Sequence, residues 1–313
     1  VMRITVLGAG VVGVTTAWYL AAEGHEVTVI ERQMAPALET SFANGGQISV
    51  SHAEPWANPA ALLRILKWLG REDSPLLWRL RPDLAQWLWG LRFLRECTPA
   101  RTRANIGAIV RLGLVSRAAL RHLRQQLALE YDQLERGILH IYTDPREFKH
   151  ALRQAALMRE FGCERLPQTG AECLAIEPAL AHAELPIVGG TYTAMDESGD
   201  ARHFTGLLAQ HAAASGVRFR YGESVAALVR EEGREGGREG GRLAGARLVS
   251  GETVRADATV LALGSYSSLL LQPLGVRLPV YPAKGYSATF ALPEDLSSTA
   301  APVVSLTDDG AKI

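Results

Sequence analysis

Three glycines directly follow a short apolar run near the start of the chain and open a stretch with helical spacing. They are Gly8, Gly10 and Gly13. After a strand such as residues 3–7, the first glycine permits a tight turn, the second lets the backbone approach a pyrophosphate, and the third allows close helix–strand packing. The sequence therefore predicts a dinucleotide-binding βαβ unit, with a helix over 11–24 and a second strand over 26–30.

A carboxylate closes the second predicted strand. Glu31 stands where a side chain can accept hydrogen bonds from a ribose diol, and its charge disfavours a ribose 2′-phosphate. FAD and NAD both fit this pattern. The parallel-sheet pattern is interrupted for about 150 residues and resumes near Asp200. Because nicotinamide-binding Rossmann domains usually continue quickly through further βα units, the interruption favours FAD, and an NAD-dependent dehydrogenase is the alternative.

Composition narrows the class of protein further. The chain has 313 residues, 47% of them hydrophobic, which is enough for two domains with large cores. Its 33 Lys plus Arg balance 33 Asp plus Glu, so charge does not favour a nucleic-acid partner. Cys97, Cys163 and Cys173 lack metal-like or C-x-x-C spacing, which indicates free thiols and no metal site. We expect a cytoplasmic protein without a membrane-spanning segment.

The remaining pattern predicts an α/β fold with a discontinuous, Rossmann-like parallel sheet and a second domain of antiparallel sheet and helices. The predicted helices cover 60–70, 75–95, 101–129, 145–161 and 202–215. The predicted strands cover 137–143, 187–194, 217–221, 224–230, the hairpin 245–255, 258–263 and 279–292. Residues 164–186 are expected to be irregular, and the Gly, Arg and Glu repeat over 231–242 is expected to form a solvated hairpin tip.

Seven segments of the sequence resemble one family. They are Val6–Val14, Ala17–Leu20, Gly24–Glu31, Leu38–Ser49, Pro55–Ala57, Gly264–Ser267 and Val280–Ser287. Together they resemble the small subunit of bacterial D-amino acid dehydrogenases, within the wider D-amino acid oxidase and glycine oxidase group. The resemblance runs end to end, and its most specific parts are the loop over 39–47 and the strand pattern over 281–286.

The resemblance implies FAD as cofactor and oxidation of a D-amino acid such as D-alanine to the 2-oxo acid and ammonia. It also implies that electrons pass to a membrane quinone or another acceptor. By the same resemblance, residues 1–53 and 196–275 form the FAD-binding domain, and residues 54–195 and 276–313 form the substrate domain. The candidate cofactor-binding residues are Val6, Leu7, Gly8, Ala9, Gly10, Val11, Val12, Gly13, Glu31, Arg32, Ser41, Asn44, Gly45, Gly46, Gln47, Val225, Ala262 and Gly264.

Candidate catalytic residues follow from what such a reaction needs. The flavin accepts a hydride, so the protein supplies orientation and electrostatics rather than a nucleophile. A cation is needed for the substrate carboxylate, and positive potential is needed near the flavin carbonyls. The candidates are Lys284, Tyr281 and Tyr286 on the predicted strand 279–292, and His52 after the cofactor loop.

Two further expectations concern the ends and the surface. Members of the family continue past residue 313 with a strand, an arginine and a glycine-rich helix start, so the resemblance implies C-terminal truncation. A catalytically inactive flavin-binding fragment is therefore one alternative function, and a glycine or D-amino acid oxidase that uses oxygen is another. The tryptophans Trp68, Trp78, Trp87 and Trp89, interleaved with arginines, fit either core packing or a peripheral membrane contact. Tryptophans at helical spacing favour core packing.

Overall fold

The computed structural model describes residues 1–61, 65, 82–184, 186–230, 242–290 and 301–308. The chain divides into two compact units. The first unit comprises Val1–Gly45, Leu127–Tyr131 and Asp200–Ser287, and the second comprises Gly46–Gln126, Asp132–Gly199 and Ala288–Ile313. Assigning the chain to an FAD-binding and a substrate domain at the predicted boundaries stays a prediction.

In chain order the strands are β1 (Arg3–Leu7), β2 (Glu26–Glu31), β3 (Gln47–Ile48), β4 (Ile138–Tyr142), β5 (Leu166–Thr169), β6 (Gly189–Thr193), β7 (Glu197–Ser198), β8 (Arg218–Tyr221), β9 (Val225–Arg230), β10 (Leu243–Leu248), β11 (Thr253–Arg255), β12 (Ala258–Leu261) and β13 (Ser305–Asp308). The helices are α1 (Val11–Ala22), α2 (Leu84–Glu96), α3 (Pro99–Leu127), α4 (Pro145–Glu160), α5 (Gly170–Ile176), α6 (Ala201–Ala214) and α7 (Ser267–Leu271).

A four-stranded parallel sheet forms the centre of the first unit. Its strand order is β12-β1-β2-β8, and every neighbouring pair is parallel. Strand β1 is buried over four of its five residues, as its run of apolar side chains predicts for an inner parallel strand. The two outer strands come from the chain after Asp200. The predicted discontinuous, Rossmann-like sheet is therefore confirmed.

A second sheet of three antiparallel strands completes the first unit. Its order is β11-β10-β9. Leu228, Ala246 and Leu248 from this sheet share one apolar cluster with Leu7 and Ile30 of the parallel sheet. The predicted hairpin over 245–255 is confirmed by the antiparallel pairing of β10 with β11.

The second unit contains a four-stranded mixed sheet of order β13-β4-β6-β5. Strand β13 is parallel to β4, and the other two pairings are antiparallel. One apolar cluster of this unit contains Leu139, Cys173, Leu180 and Val304. Another joins residues of α3 and α4 to Val50 and Ala53. The antiparallel sheet and helices expected outside the parallel sheet are thus confirmed.

Two predicted segments differ from the structure. Residues 279–290 form no strand, and Tyr286 and Phe290 in this segment are exposed. Alternating side chains specify a strand only where a neighbouring strand accepts the backbone hydrogen bonds, and none of the described strands pairs with this segment. Residues 291 and 292 lie outside the described residues.

The predicted irregularity of 164–186 is also wrong, because the segment contains β5, α5 and a 3₁₀ helix over Pro178–His182. A capping box starts α5: the Thr169 side chain accepts from the N–H of Glu172, whose carboxylate accepts from the N–H of Thr169. This reciprocal pair supplies the local start signal for the helix.

Other predictions fall partly outside the described residues. The helix predicted over 75–95 is observed from Leu84, while 75–81 is not described. Most of 60–70 and nearly all of 231–242 are not described either. Trp68 and Trp78 lie outside the described residues, whereas Trp87 is 52% exposed. The core-packing interpretation is therefore wrong for Trp87. None of the helices in the described ranges is long and apolar enough to cross a membrane.

Candidate functional site

The glycine-rich turn begins where β1 ends. Val6 and Leu7 are fully buried in β1, and Gly8 then adopts φ +102°, which favours glycine. A Cβ at Gly8 would lie 2.6 Å from the carbonyl oxygen of Ala262. The Gly8 N–H donates to the carbonyl of Ile30 at 2.8 Å. The turn is thus enclosed by the ends of two neighbouring strands.

Close packing of α1 on this turn depends on the third glycine. A Cβ at Gly13 would lie 1.9 Å from the carbonyl oxygen of Gly8 and 3.3 Å from the Cβ of Ala262. No side chain can be accommodated there without moving the helix or the turn. Helix α1 therefore starts directly against the turn, in which Ala9 is buried.

The first turn of α1 presents backbone donors beside a serine. The Val11 N–H donates to the Ser41 hydroxyl at 3.0 Å, and this hydroxyl lies 3.3 Å from the position of a Cβ at Gly10. The next residue, Val12, is exposed although it is apolar. The first N–H groups of a helix lack partners within the helix and carry the positive end of its dipole. This helix start can receive an anion.

The carboxylate of Glu31 faces the same turn. It accepts the N–H of Ala9 at 2.7 Å and the N–H of Gln33 at 2.8 Å. A carboxylate has about four acceptor sites. Glu31 can therefore still accept the hydroxyls of a ribose while it holds the turn.

Arg32, next to Glu31, is held by two groups. Its guanidinium donates to Glu39 and lies 4.3 Å from the ring centroid of Tyr266. The hydrogen bond from Arg32 lowers the pKa of Glu39. This pair connects the end of β2 to the loop that follows.

The loop from Ser41 to Gly46 is held by an asparagine side chain within it and by the backbone of Gly199. Asn44 donates to the carbonyl of Ser41 at 3.2 Å, and Gly45 has open space around it. Gly46 adopts φ +60°, and a Cβ there would lie 2.5 Å from the carbonyl oxygen of Gly199. The close approach of these two backbone segments explains the second glycine of the Gly45-Gly46 pair.

The three remaining cofactor candidates of the first unit lie at strand ends. Val225 begins β9, and Ala262 follows β12 with its N–H donated to the carbonyl of Leu7 at 2.8 Å. Gly264 adopts φ +54° at the start of a 3₁₀ turn. Ala262 is thus brought to the glycine turn.

Gln47 belongs to the second unit and is oriented by two hydroxyls. Its Nε2 donates to Ser305 and Thr307, each at 3.0 Å. Both hydroxyls come from β13. Because the amide nitrogen donates to both hydroxyls of β13, the amide oxygen is the acceptor end of this side chain, and no bond to it is found among the described residues.

His52 is exposed at the end of a polar turn. Its backbone N–H donates to the Ser49 hydroxyl at 3.0 Å, and its ring stacks on the His140 ring with centroids 5.7 Å apart. His140 is buried, and its Nε2 lies 3.2 Å from the Ser51 hydroxyl. The position of the His52 ring is thus set by the turn over residues 49–52.

The other catalytic candidates lie on the segment that forms no strand. The Lys284 Nζ is 5.0 Å from the ring centroid of Tyr286, which is 88% exposed, and Tyr281 is partly buried. The structure brings Lys284 and Tyr286 together.

Sequence reasoning missed a cluster of buried charges in the second unit. Asp196 and Glu197 are fully buried and bind arginines of α3. These are Arg117, Arg121 and Arg124, whose i, i+4, i+7 spacing places three guanidinium groups on one helix face. That spacing was the available signal.

The DAO family model, described as FAD dependent oxidoreductase, matches residues 3–313. The D-amino acid dehydrogenase of Dechloromonas aromatica is 60% identical over 312 residues, which cover 100% of this chain and 73% of that protein. The D-amino acid dehydrogenase of Paramagnetospirillum magneticum is 53% identical over 313 residues, which cover 100% of this chain and 71% of that protein.

Two solved structures show a similar fold. Glycine oxidase from Geobacillus kaustophilus has a TM-score of 0.60 and 21% identity, with 89% of this chain and 60% of that chain covered. L-proline dehydrogenase from P. horikoshii has a TM-score of 0.60 and 19% identity, with 88% and 56% covered. The chain thus spans less than two thirds of the length of these two solved proteins.

Proposed function

The chain belongs to the DAO family of FAD-dependent oxidoreductases, and on that premise we propose that it oxidises D-amino acids such as D-alanine to 2-oxo acids and ammonia. The observation that carries the proposal is the 60% identity, over the whole chain, to a protein named D-amino acid dehydrogenase. The acceptor of the electrons is a quinone or another carrier.

The glycine turn and its surroundings fit FAD. The close contacts at Gly8 and Gly13 place the start of α1 directly against the glycine turn, and the first N–H groups of a helix can bind a pyrophosphate. Glu31 has acceptor sites left for a ribose diol. FAD, when bound, accepts the hydride that leaves the substrate Cα. We propose that the candidate cofactor-binding residues of the first unit bind the nucleotide half of FAD. Val225 would lie beside the adenine.

The second unit supplies the polar groups of residues 47–52. We propose that Gln47 points its amide oxygen toward the flavin and that His52 holds the proton lost by the substrate ammonium. Lys284 would bind the substrate carboxylate, with the hydroxyls of Tyr281 and Tyr286 as donors beside it. His52 thus accepts a proton, the other groups orient substrate or stabilise charge, and none acts as a nucleophile.

The test is an absorbance spectrum of the purified protein, followed by anaerobic addition of D-alanine, with L-alanine as the matched control. We expect a flavin band that D-alanine bleaches and L-alanine does not. A colourless protein that stays colourless after incubation with FAD would overturn cofactor binding. A yellow protein that no D-amino acid bleaches would favour the inactive fragment. Faster turnover with oxygen than with an artificial acceptor would favour an oxidase.

A peripheral membrane contact would place the enzyme beside its quinone, and we propose that α2 makes it. The apolar side chains along one side of this helix are exposed rather than buried. They are Leu84, Trp87, Leu88, Leu91 and Leu94. Their spacing of i, i+3, i+4, i+7 and i+10 forms a continuous apolar stripe, while the polar Gln86 is buried. Arg92 and Arg95 are exposed on the same helix and can contact anionic headgroups.

Vesicle sedimentation tests the membrane contact. We expect binding to vesicles that contain anionic lipid, and weaker binding for Leu91→Asp, because Leu91 is 64% exposed in the stripe. Leu269→Asp on α7 is the matched control, because Leu269 is 63% exposed outside the stripe. If the wild-type protein stays in the supernatant, or if Leu91→Asp binds like the wild type, the contact is disproved.

A further inference from the structure

Asp196 lies between β6 and β7 and is completely buried, with 0% of its surface exposed. Its carboxylate accepts the N–H of Val50 at 3.0 Å and the N–H of Ser51 at 3.0 Å. The Ser49 hydroxyl lies 3.3 Å from the same carboxylate. One side chain thus holds three consecutive residues.

A buried carboxylate needs compensation by hydrogen bonds and opposite charge. The three contacts with residues 49–51 provide the hydrogen bonds. Arg117 of α3 provides the opposite charge, since its Nη1 lies 3.4 Å from Asp196 Oδ1. The neighbouring Glu197 is bound by Arg121 and Arg124 of the same helix. The turn that carries Asp196 is therefore fixed to α3 by several ion pairs.

The segment held by Asp196 connects two candidate site residues. Gln47 precedes it in β3, which pairs with β7 in the register Gln47 to Ser198. His52 follows it, and the His52 N–H donates to the same Ser49 hydroxyl that faces Asp196. A shift of the backbone at 49–51 would consequently move the side chains at both ends.

We propose that Asp196 is a positioning residue for the reaction. Its carboxylate fixes the backbone of residues 49–51 and thereby sets the positions of Gln47 and His52. This inference rests on the proposed function, in which those two side chains face the flavin and the substrate. Asp196 itself touches neither.

The test compares Asp196→Asn with Glu197→Gln. Both substitutions keep the side-chain volume and remove a fully buried charge that pairs with α3, through one arginine at Asp196 and two at Glu197. Only Asp196→Asn places an NH₂ group against the donors of residues 49–51. A purely structural role predicts a loss of stability and of kcat at least as large in Glu197→Gln, which removes two ion pairs, whereas a positioning role predicts that kcat falls more in Asp196→Asn.

Hydrogen–deuterium exchange gives the first readout. In Asp196→Asn we expect the peptide covering 47–53 to exchange at least about tenfold faster, and in Glu197→Gln we expect it to stay near the wild-type rate. Steady-state kinetics with D-alanine and an artificial acceptor give the second. We expect kcat to fall between about tenfold and 100-fold in Asp196→Asn, since a misplacement of about 1 Å has an effect of this size. Its FAD content should match the wild type, and kcat of Glu197→Gln should stay within about twofold of it.

Unchanged exchange at 47–53 in Asp196→Asn, or equal kcat in the two variants, would overturn the proposal. A wild-type protein that does not oxidise D-amino acids would overturn the proposed function. The exchange data would then reveal whether Asp196 holds the segment without a role in that reaction.

Discussion

The Gly13→Ala substitution should weaken FAD binding and destabilise the first unit. The added Cβ would lie 1.9 Å from the carbonyl oxygen of Gly8 and 3.0 Å from its carbonyl carbon. Contacts of a Cβ below 3.0 Å essentially do not occur in proteins, so α1 and the turn must separate by about 1.1 Å. The obstructing atoms belong to the backbone, which cannot rotate away as a side chain can.

Two terms set the size of the effect on stability. Overpacking of this kind costs about 1–3 kcal/mol, and a rigid neighbour favours the upper end. Alanine stabilises a helix by about 1 kcal/mol relative to glycine, which offsets part of this cost. The net loss in the free energy of unfolding should therefore be about 1–2 kcal/mol. Hydrogen bonds from α1 to a bound pyrophosphate would lengthen as well, so the affinity for FAD should fall at least about tenfold, which corresponds to 1.4 kcal/mol.

Chemical denaturation and flavin fluorescence titration measure the two effects. Gly206→Ala in α6 is the matched control, because a Cβ there would meet no atom within 4 Å. That variant should gain up to about 1 kcal/mol from helix propensity and bind FAD normally. If Gly13→Ala behaved like Gly206→Ala in both assays, close packing of α1 on the turn would not be the reason for this glycine.

Two further predictions concern buried or half-buried carboxylates. Glu31→Gln should weaken FAD binding about tenfold, because an NH₂ group would replace one acceptor beside the turn; a titration that matched the wild type would refute this role. For Glu177, burial alone would raise the pKa, but the N–H groups of Val304, Ala179 and Val303 outweigh it and the pKa is lowered. The contribution of Glu177 to the free energy of unfolding is therefore complete above its ordinary pKa of 4.5. This contribution is lost as the pH falls through the lower pKa that Glu177 has in the folded protein. The difference in unfolding free energy between wild type and Glu177→Gln should shrink from pH 6 to pH 3, and a constant difference would contradict this reasoning.

The sequence predicted those parts of the fold that local pattern determines. The turn around Gly8 and the helix after it depend on residues adjacent in the chain, and both are observed. The apolar run over 258–263 also predicted a strand, and the structure has one over Ala258–Leu261 in the parallel sheet. Residues 279–290 were predicted wrongly, because a strand depends on a distant partner that periodicity does not reveal.

In the candidate site, too, the features set by local pattern were predictable and those set by distant contacts were not. Glycines that approach a backbone closely have a recognisable spacing, so the turn could be found from sequence. The acceptors that Gln47 finds on β13 and the hold of Asp196 on residues 49–51 could not. These contacts join residues more than 140 positions apart, and a buried carboxylate has no local signature.

The distance in sequence between β1 and β12 has a consequence for how the chain folds during synthesis. Arg3 and Asp257, at the start of this parallel pair, are 254 residues apart. At about 5–20 residues per second, β1 is made roughly 10–50 s before its partner. During that interval its edge is open to other nascent chains. The first unit can therefore complete its sheet only after β12 has been synthesised, and binding of its cofactor must follow.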